Sequence, residues 1–232
     1  MQADLPLETI FVLFGGHGGG LQEIRQLAKR RGVPVKEVDR KRFVQLCPDE
    51  NAQGVVAVAG EKKYVDLNDL LRIAEEKGEK PFLLVLDEIE DPHNLGALIR
   101  TGECAGIHGV IIPRHHSVTF NETVAKTSAG ASLHMPASRV TNLAATLDEL
   151  RDRGIWVIGT DMLATRSYED VDYRDPVAIV IGNEGKGIRR LVKEKCDFLV
   201  KIPLFGKIGS LNASVAGGLV LFEAARKRHK QT

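Results

Sequence analysis

The chain lacks the marks of a membrane, exported or disulfide-stapled protein. No apolar run approaches the roughly 20 residues that a membrane helix needs; the longest, Val177 to Gly182, is strand-sized. The N-terminus has no basic segment leading into an apolar core, so no export signal is read. Cysteine is scarce. Cys47, Cys104 and Cys196 are widely spaced and odd in number, and they match neither a disulfide framework nor a zinc pattern. They read as buried or half-buried free thiols in a reducing cytoplasm. No metal is expected either: His115 and His116 are adjacent, and adjacent strand residues face opposite ways. Net charge is only +1, so any footprint for a nucleic acid has to be local. What remains, at 43% hydrophobic and 27% charged residues, is an ordinary globular composition.

What is present is an alternation of strands and helices. Glu8 to Phe14 reads as a strand, the Gly-rich GGHGGG (Gly15 to Gly20) follows, and Leu21 to Arg31 has helical apolar spacing. Pro34 to Val38 and Gly54 to Ala59 are strand candidates, and Asp66 to Lys77 is an amphipathic helix. EEKGEKP, Glu75 to Pro81, is the best linker and places a domain boundary near residue 80, giving domains 1–77 and 81–232. The second stretch opens on PFLLVLD (Pro81 to Asp87), an unbroken apolar run suited to a strand covered on both faces. A helix over Asn94 to Ala105, a strand over Gly109 to Pro113 and a helix over Thr141 to Gly154 follow. Strands over Ile155 to Asp161, Val177 to Gly182 and Phe198 to Leu204 lead to a closing helix, Asn212 to His229. The pattern predicts an α/β fold with a mostly parallel sheet.

Three motifs follow strands of the second stretch, where open α/β sheets place ligands. DPHNLGALIRTGECAG (Asp91 to Gly106) offers Asn94 as a helix N-cap and Arg100 six residues on. IGNEGKGIRR (Ile181 to Arg190) ends a buried strand in Gly182, then gives Asn183, Glu184 and two further glycines before a basic helix. IPLFGKIGSLNASVAGG (Ile202 to Gly218) places Ser210 and Asn212 around Leu211, ahead of a helix of small residues that suits close packing. Each alone also fits a capped helix or an ordinary turn.

Together and in this order, the three motifs resemble those of the SpoU (TrmH-like) family of RNA 2'-O-ribose methyltransferases, within the SPOUT superfamily. The resemblance spans Pro81 to Lys230 and leans toward the subgroup that modifies guanosine in bacterial 23S rRNA. The first domain resembles the small ribosomal-protein-like α/β domain that binds substrate RNA in some members. The resemblance implies an α/β trefoil-knot catalytic domain, S-adenosyl-L-methionine as cofactor, a homodimer and a cytoplasmic setting. It carries the catalytic roles to Asn94, Arg100, Glu184, Ser210 and Asn212, and cofactor binding by backbone groups to Gly182, Ile202 and Leu211. The chain departs from the family in two respects. Only seven residues precede Glu8, where members have a segment with a helix; and Leu204 and Ala213 stand where methionine and valine are usual.

The implied reaction is a displacement in which a ribose 2'-oxygen attacks a methyl carbon in line with a departing sulfur, so positioning dominates. A free guanidinium holds its proton in water, so Arg100 is expected to bind the phosphate beside the target ribose and orient the hydroxyl, with general-base action the alternative if the site lowers its pKa. Asn94 is expected to orient Arg100 or the ribose, and Glu184 to fix that arrangement. In the first domain GGHGGG with Arg25, Lys29, Arg30 and Arg31 suits phosphate contacts, as does the tail Arg226 to Lys230. Two other readings stand beside this one. One is a non-catalytic rRNA-binding assembly factor. The other is a nucleotide-dependent dehydrogenase, although Gly16, Gly18 and Gly19 have the wrong phase for G-x-G-x-x-G.

Overall fold

A computed structural model describes residues 7–15, 19–48, 53–60 and 62–229. The chain forms two compact units, dividing between Lys62 and Lys63.

In the first unit β1 (Leu7–Leu13) leads to α1 (Gly19–Arg30), β2 (Val35–Val38), α2 (Arg40–Leu46) and β3 (Val55–Ala59). The sheet order is β2-β1-β3, with β2 parallel and β3 antiparallel to β1. Its core is small: Ile10, Val12 and Ala28, with Leu21, Ile24 and Val35 packed around them. The sequence did not signal α2, because a seven-residue helix opening on three cations shows no periodicity.

The second unit opens with α3 (Leu67–Glu76), which the sequence assigned to the first domain. Leu67, Leu70 and Leu71 bury against Leu83, Val85 and Ile111 of the large sheet, so the boundary falls before this helix and not after it. The charged segment near residue 80 is a surface turn inside one unit. There follow β4 (Phe82–Leu86), α4 (Pro92–Ala105), β5 (Gly109–Pro113), α5 (Glu122–Thr127), α6 (Ala131–His134) and β6 (Ala137–Val140). Then come α7 (Leu143–Asp152), β7 (Trp156–Thr160), β8 (Arg166–Ser167), β9 (Val177–Ile181), α8 (Arg190–Lys193), β10 (Phe198–Lys201) and α9 (Ala213–His229).

These strands form a seven-stranded sheet in the order β6-β5-β4-β9-β7-β10-β8, and every pairing is parallel. All five residues of β4, β5 and β9 are buried, as continuous apolar strands require. The chain steps outward from β4 through β5 to β6, then restarts on the far side at β7 and inserts β9 beside β4. The carboxyl ends of β4 and β9 are therefore neighbours at a reversal of strand order, the place where such sheets receive ligands.

Among the described residues no helix is long and apolar enough to cross a membrane. The cysteines are free, and Cys104 is exposed where the sequence suggested burial, because α4 turns Leu98, Ile99 and Ala105 inward instead. Burial pushes the Cys196 thiol up to about 12.

Candidate active site at the carboxyl ends of β4 and β9

Helix α4 is capped one turn earlier than expected. Asp91, not Asn94, is the N-cap, its carboxylate accepting from the His93 N–H at 2.9 Å with Pro92 in the first turn. Asn94 thus sits inside the helix with its amide free for tertiary work. Its Oδ1 accepts from Asn212 Nδ2 at 2.9 Å, and Glu184 Oε2 accepts from Asn212 Nδ2 at 3.0 Å and from Asn94 Nδ2 at 3.5 Å. Asn212 has two jobs: its Oδ1 accepts from the Ser214 N–H at 2.9 Å and caps the start of α9. One residue from each motif therefore meets in a single polar cluster.

Glycines set the close approaches. A Cβ on Gly96 would lie 1.8 Å from Thr127 Oγ1, and one on Gly217 would lie 2.4 Å from Leu98 Cδ2. The small-residue face of α9 is therefore used by α4 of the same chain. A Cβ on Gly182 would meet the Gly187 carbonyl carbon at 2.3 Å. The 182–188 loop closes so tightly because the Asn183 and Gly187 backbones bond each other at 3.1 and 2.8 Å, while Asn183 Oδ1 accepts from Gly185 N–H at 2.9 Å.

Two residues that the sequence reading passed over hold this loop to β4. Asp87, fully buried at the end of β4, accepts from the Arg189 backbone N–H and Nε, both at 2.8 Å, and from its Nη2 at 2.6 Å. Asn183 Nδ2 donates to the Glu88 carbonyl at 3.1 Å, with Glu88 at φ 58°. The available signal was a carboxylate closing a fully apolar strand: such a group needs a buried partner, and Arg189 is the first of the two arginines that close the second motif.

Other expected residues are not in the cluster. Arg100 is exposed on α4 and, among the described residues, makes no hydrogen bond to Asn94, Glu184 or Asn212. The expectation that Asn94 orients Arg100 is thus replaced by an Asn94–Glu184–Asn212 contact. Ser210 is exposed, two residues before Asn212 in the chain. Ile202 and Leu211 are half-buried on the two ends of the β10–α9 loop. Gly182 is buried, and among the described residues nothing in the chain hydrogen-bonds its backbone N–H or C=O. Among the described residues no group of three His, Cys, Asp or Glu is arranged to hold a metal ion.

A polar cluster and a glycine-built loop at the reversal point of a parallel α/β sheet lie where α/β domains of this class bind ligands. The sequence profile of the SpoU rRNA Methylase family matches residues 81–222, and one described as RNA 2'-O ribose methyltransferase substrate binding matches residues 1–65. YacO of Bacillus subtilis (strain 168), assigned by name to the TrmH family of tRNA/rRNA methyltransferases, is 48% identical over 229 residues, covering 99% of this chain and 92% of that one. The SpoU methyltransferase AviRb from Streptomyces viridochromogenes, crystallised with AdoMet, superposes with a TM-score of 0.82 at 26% identity, covering 98% of this chain and 85% of that one. An AdoMet-bound rRNA methyltransferase from Sinorhizobium meliloti gives 0.81 at 27% identity, over 99% and 82% of the two chains. The chain belongs to the SpoU (TrmH) family of RNA 2'-O-ribose methyltransferases, enzymes that use S-adenosylmethionine.

Proposed function

We propose that the chain methylates the 2'-oxygen of a guanosine in 23S rRNA, acting as a cytoplasmic homodimer. The observation that carries the catalytic part is the Asn94–Glu184–Asn212 cluster beside Gly182. When bound, S-adenosylmethionine supplies a methyl group on a positively charged sulfur. Gly182, Ile202 and Leu211 hold that group through main-chain atoms, and the loops bearing them form the knotted segments of the fold. Asn94 and Asn212 present amides to the ribose, with Glu184 fixing both; Ser210 lines the pocket. Arg100 grips the phosphate next to the target ribose and orients the 2'-hydroxyl. The homodimer reading is supported by the exposed apolar stripe Val215, Leu219 and Phe222 on α9, at positions i, i+4 and i+7 of one helix face. Relatives named for both tRNA and rRNA keep a tRNA nucleotide or another rRNA position as the second reading.

The test is a set of Arg100 variants. Arg100→Ala is expected to cut single-turnover methylation by about 100-fold or more while cofactor affinity and melting temperature stay parental. Arg100→Lys should be nearly as poor, because a lysine cannot reproduce two directed bonds to one phosphate. A Lys variant with near-parental turnover overturns the positioning role. Mapping 2'-O-methyl groups in rRNA and tRNA from cells with and without the gene identifies the nucleotide.

A further inference from the structure

The first unit matches a substrate-binding profile, yet nothing so far says which of its faces meets RNA. The sheet topology narrows the choice. β1 and β2 run parallel with Leu13 opposite Val38, and the Phe14 N–H bonds the Val38 carbonyl at 2.8 Å. The end of β1 and the start of α2 therefore share the carboxyl edge of this sheet. Buried Phe43 pins α2 to the unit, and the Asp39 carboxylate caps it by accepting from the Arg42 N–H at 2.8 Å. That pinning leaves Arg40, Lys41 and Arg42 all exposed. Beside them Phe14 is 75% exposed, an unusual position for an aromatic ring. The basic end of α1, with Lys29 and Arg30, lies at the opposite edge, because α1 runs back from the end of β1 to the start of β2.

Several surface cations are joined to carboxylates, among them Arg25 to Glu37, Arg151 to Asp197, Arg174 to Asp172 and Lys195 to Asp148. Among the described residues Arg40, Lys41 and Arg42 have no carboxylate within ion-pair distance, and the Arg42 guanidinium meets only the neutral Gln45, at 3.2 Å. In a chain of net charge +1, three consecutive unneutralised cations are a local positive field of the kind a polyanion needs. An exposed ring beside them adds what a phosphate site alone lacks, a platform for an unstacked base.

We propose that the carboxyl edge of the three-stranded sheet holds substrate RNA, with Arg40, Lys41 and Arg42 on consecutive phosphates and the Phe14 ring stacked on an unpaired base. This rests on the RNA methyltransferase reading and adds to it a surface remote in sequence from every catalytic residue. It also moves the RNA contact away from the α1 cations, which the sequence alone had favoured.

The experiment measures binding of the full chain to an unmodified large-subunit rRNA transcript at several salt concentrations. The Arg40→Ala/Lys41→Ala/Arg42→Ala variant is expected to lower the slope of log affinity against log salt by about 2, at ~0.7 per single-strand phosphate. Phe14→Ala should weaken binding about tenfold with the slope unchanged, and Phe14→Tyr should restore it. In each loss variant KM for RNA rises, while cofactor affinity and melting temperature remain parental. The Lys29→Ala/Arg30→Ala variant should bind like the parent. The proposal is overturned if the triple variant keeps parental affinity and slope, if the loss appears in the α1 variant instead, or if the parent does not retain the transcript. A parent that binds RNA through this edge yet transfers no methyl group to any RNA would sink the catalytic reading and leave the surface standing.

Discussion

The two units spend their charges differently. In the second unit, Arg226, Lys227 and Arg228 of the basic tail, which look like RNA contacts in the sequence, are consumed by the fold, while Arg100 stays exposed. In the basic tail, Arg226 pairs with Glu223, Lys227 donates to the Val171 carbonyl at 2.8 Å, and Arg228 donates to the Tyr173 and Asp175 carbonyls, both at 2.8 Å. Arg189 is spent on buried Asp87. In the first unit Arg40, Lys41 and Arg42 stay in water beside a small core of Ile10, Val12 and Ala28, with buried Phe43 on α2 itself. Counting basic residues therefore says little about where a polyanion binds; what matters is which cations the fold has left unpaired. In the catalytic unit Arg189, Arg226, Lys227 and Arg228 close onto carboxylates and carbonyls of the fold, while the α2 cations of the small unit do not.

The sharpest way to test this division is Gly182→Ala. Its methyl would meet backbone atoms of Gly187 and Ile188 at 2.3 and 2.4 Å, which no rotamer change relieves. The 182–188 loop must open, and with it go the main-chain cradle and the position of Glu184. Cofactor binding is expected to fall below detection by calorimetry, while RNA retention by the first unit persists. If RNA binding disappears together with cofactor binding, the two units are not separable in this way.

A smaller effect is expected from Asp87→Asn. The side chain is fully buried, and the amide can still accept one bond from the Arg189 N–H but loses the charge that the guanidinium faces. Breaking a buried pair costs 3–5 kcal/mol in general. Arg189 is 40% exposed and can recover water, so about 3 kcal/mol is expected here. Denaturant unfolding followed by the fluorescence of Trp156, the sole tryptophan and a residue of the catalytic unit, reads it. A loss below ~1 kcal/mol would show that the pair behaves as a surface bridge.

The sequence made the strands and the site legible to different degrees. Apolar runs such as PFLLVLD and VAIVIG announced the parallel sheet, since only strands covered on both faces carry such runs. The three motifs delivered Asn94, Glu184 and Asn212 to one cluster, because each follows a strand whose carboxyl end lies at the same place. Less was visible where short elements are fixed by tertiary contact: α2, α5 and α6 have too few residues for a period. Asn94 was misread as a cap because Asp91 and Asn94 both suit that role, and only the tertiary partners Asn212 and Glu184 decide between them.

The smallest expected effect comes from acid, and it too separates the units. His108 is buried at the start of the catalytic sheet; its Nδ1 accepts from the Phe82 N–H at 3.0 Å, and its Nε2 meets Glu79 Oε2 at 3.1 Å. Accepting at Nδ1 requires the neutral ring with its proton on Nε2. Burial lowers the pKa below the ordinary 6.5, against the opposing pull of Glu79. A lowered folded-state value means that the unfolded chain takes up the proton first. The contribution of His108 is thus fully present above about pH 6.5 and is lost as pH falls through the folded value. Protonation leaves the Phe82 N–H facing a donor, at a cost of about 1 kcal/mol for the lost bond. Among the described residues the buried polar side chains all lie in the second unit, so the first has no counterpart. Unfolding free energy read through Trp156 should therefore decline between pH 7 and pH 5 in the parent. In His108→Asn, whose Oδ1 offers an acceptor that does not titrate, the decline should flatten. An identical pH slope in both proteins would remove His108 from this role, and the acid sensitivity of the catalytic unit would then have to come from its carboxylates.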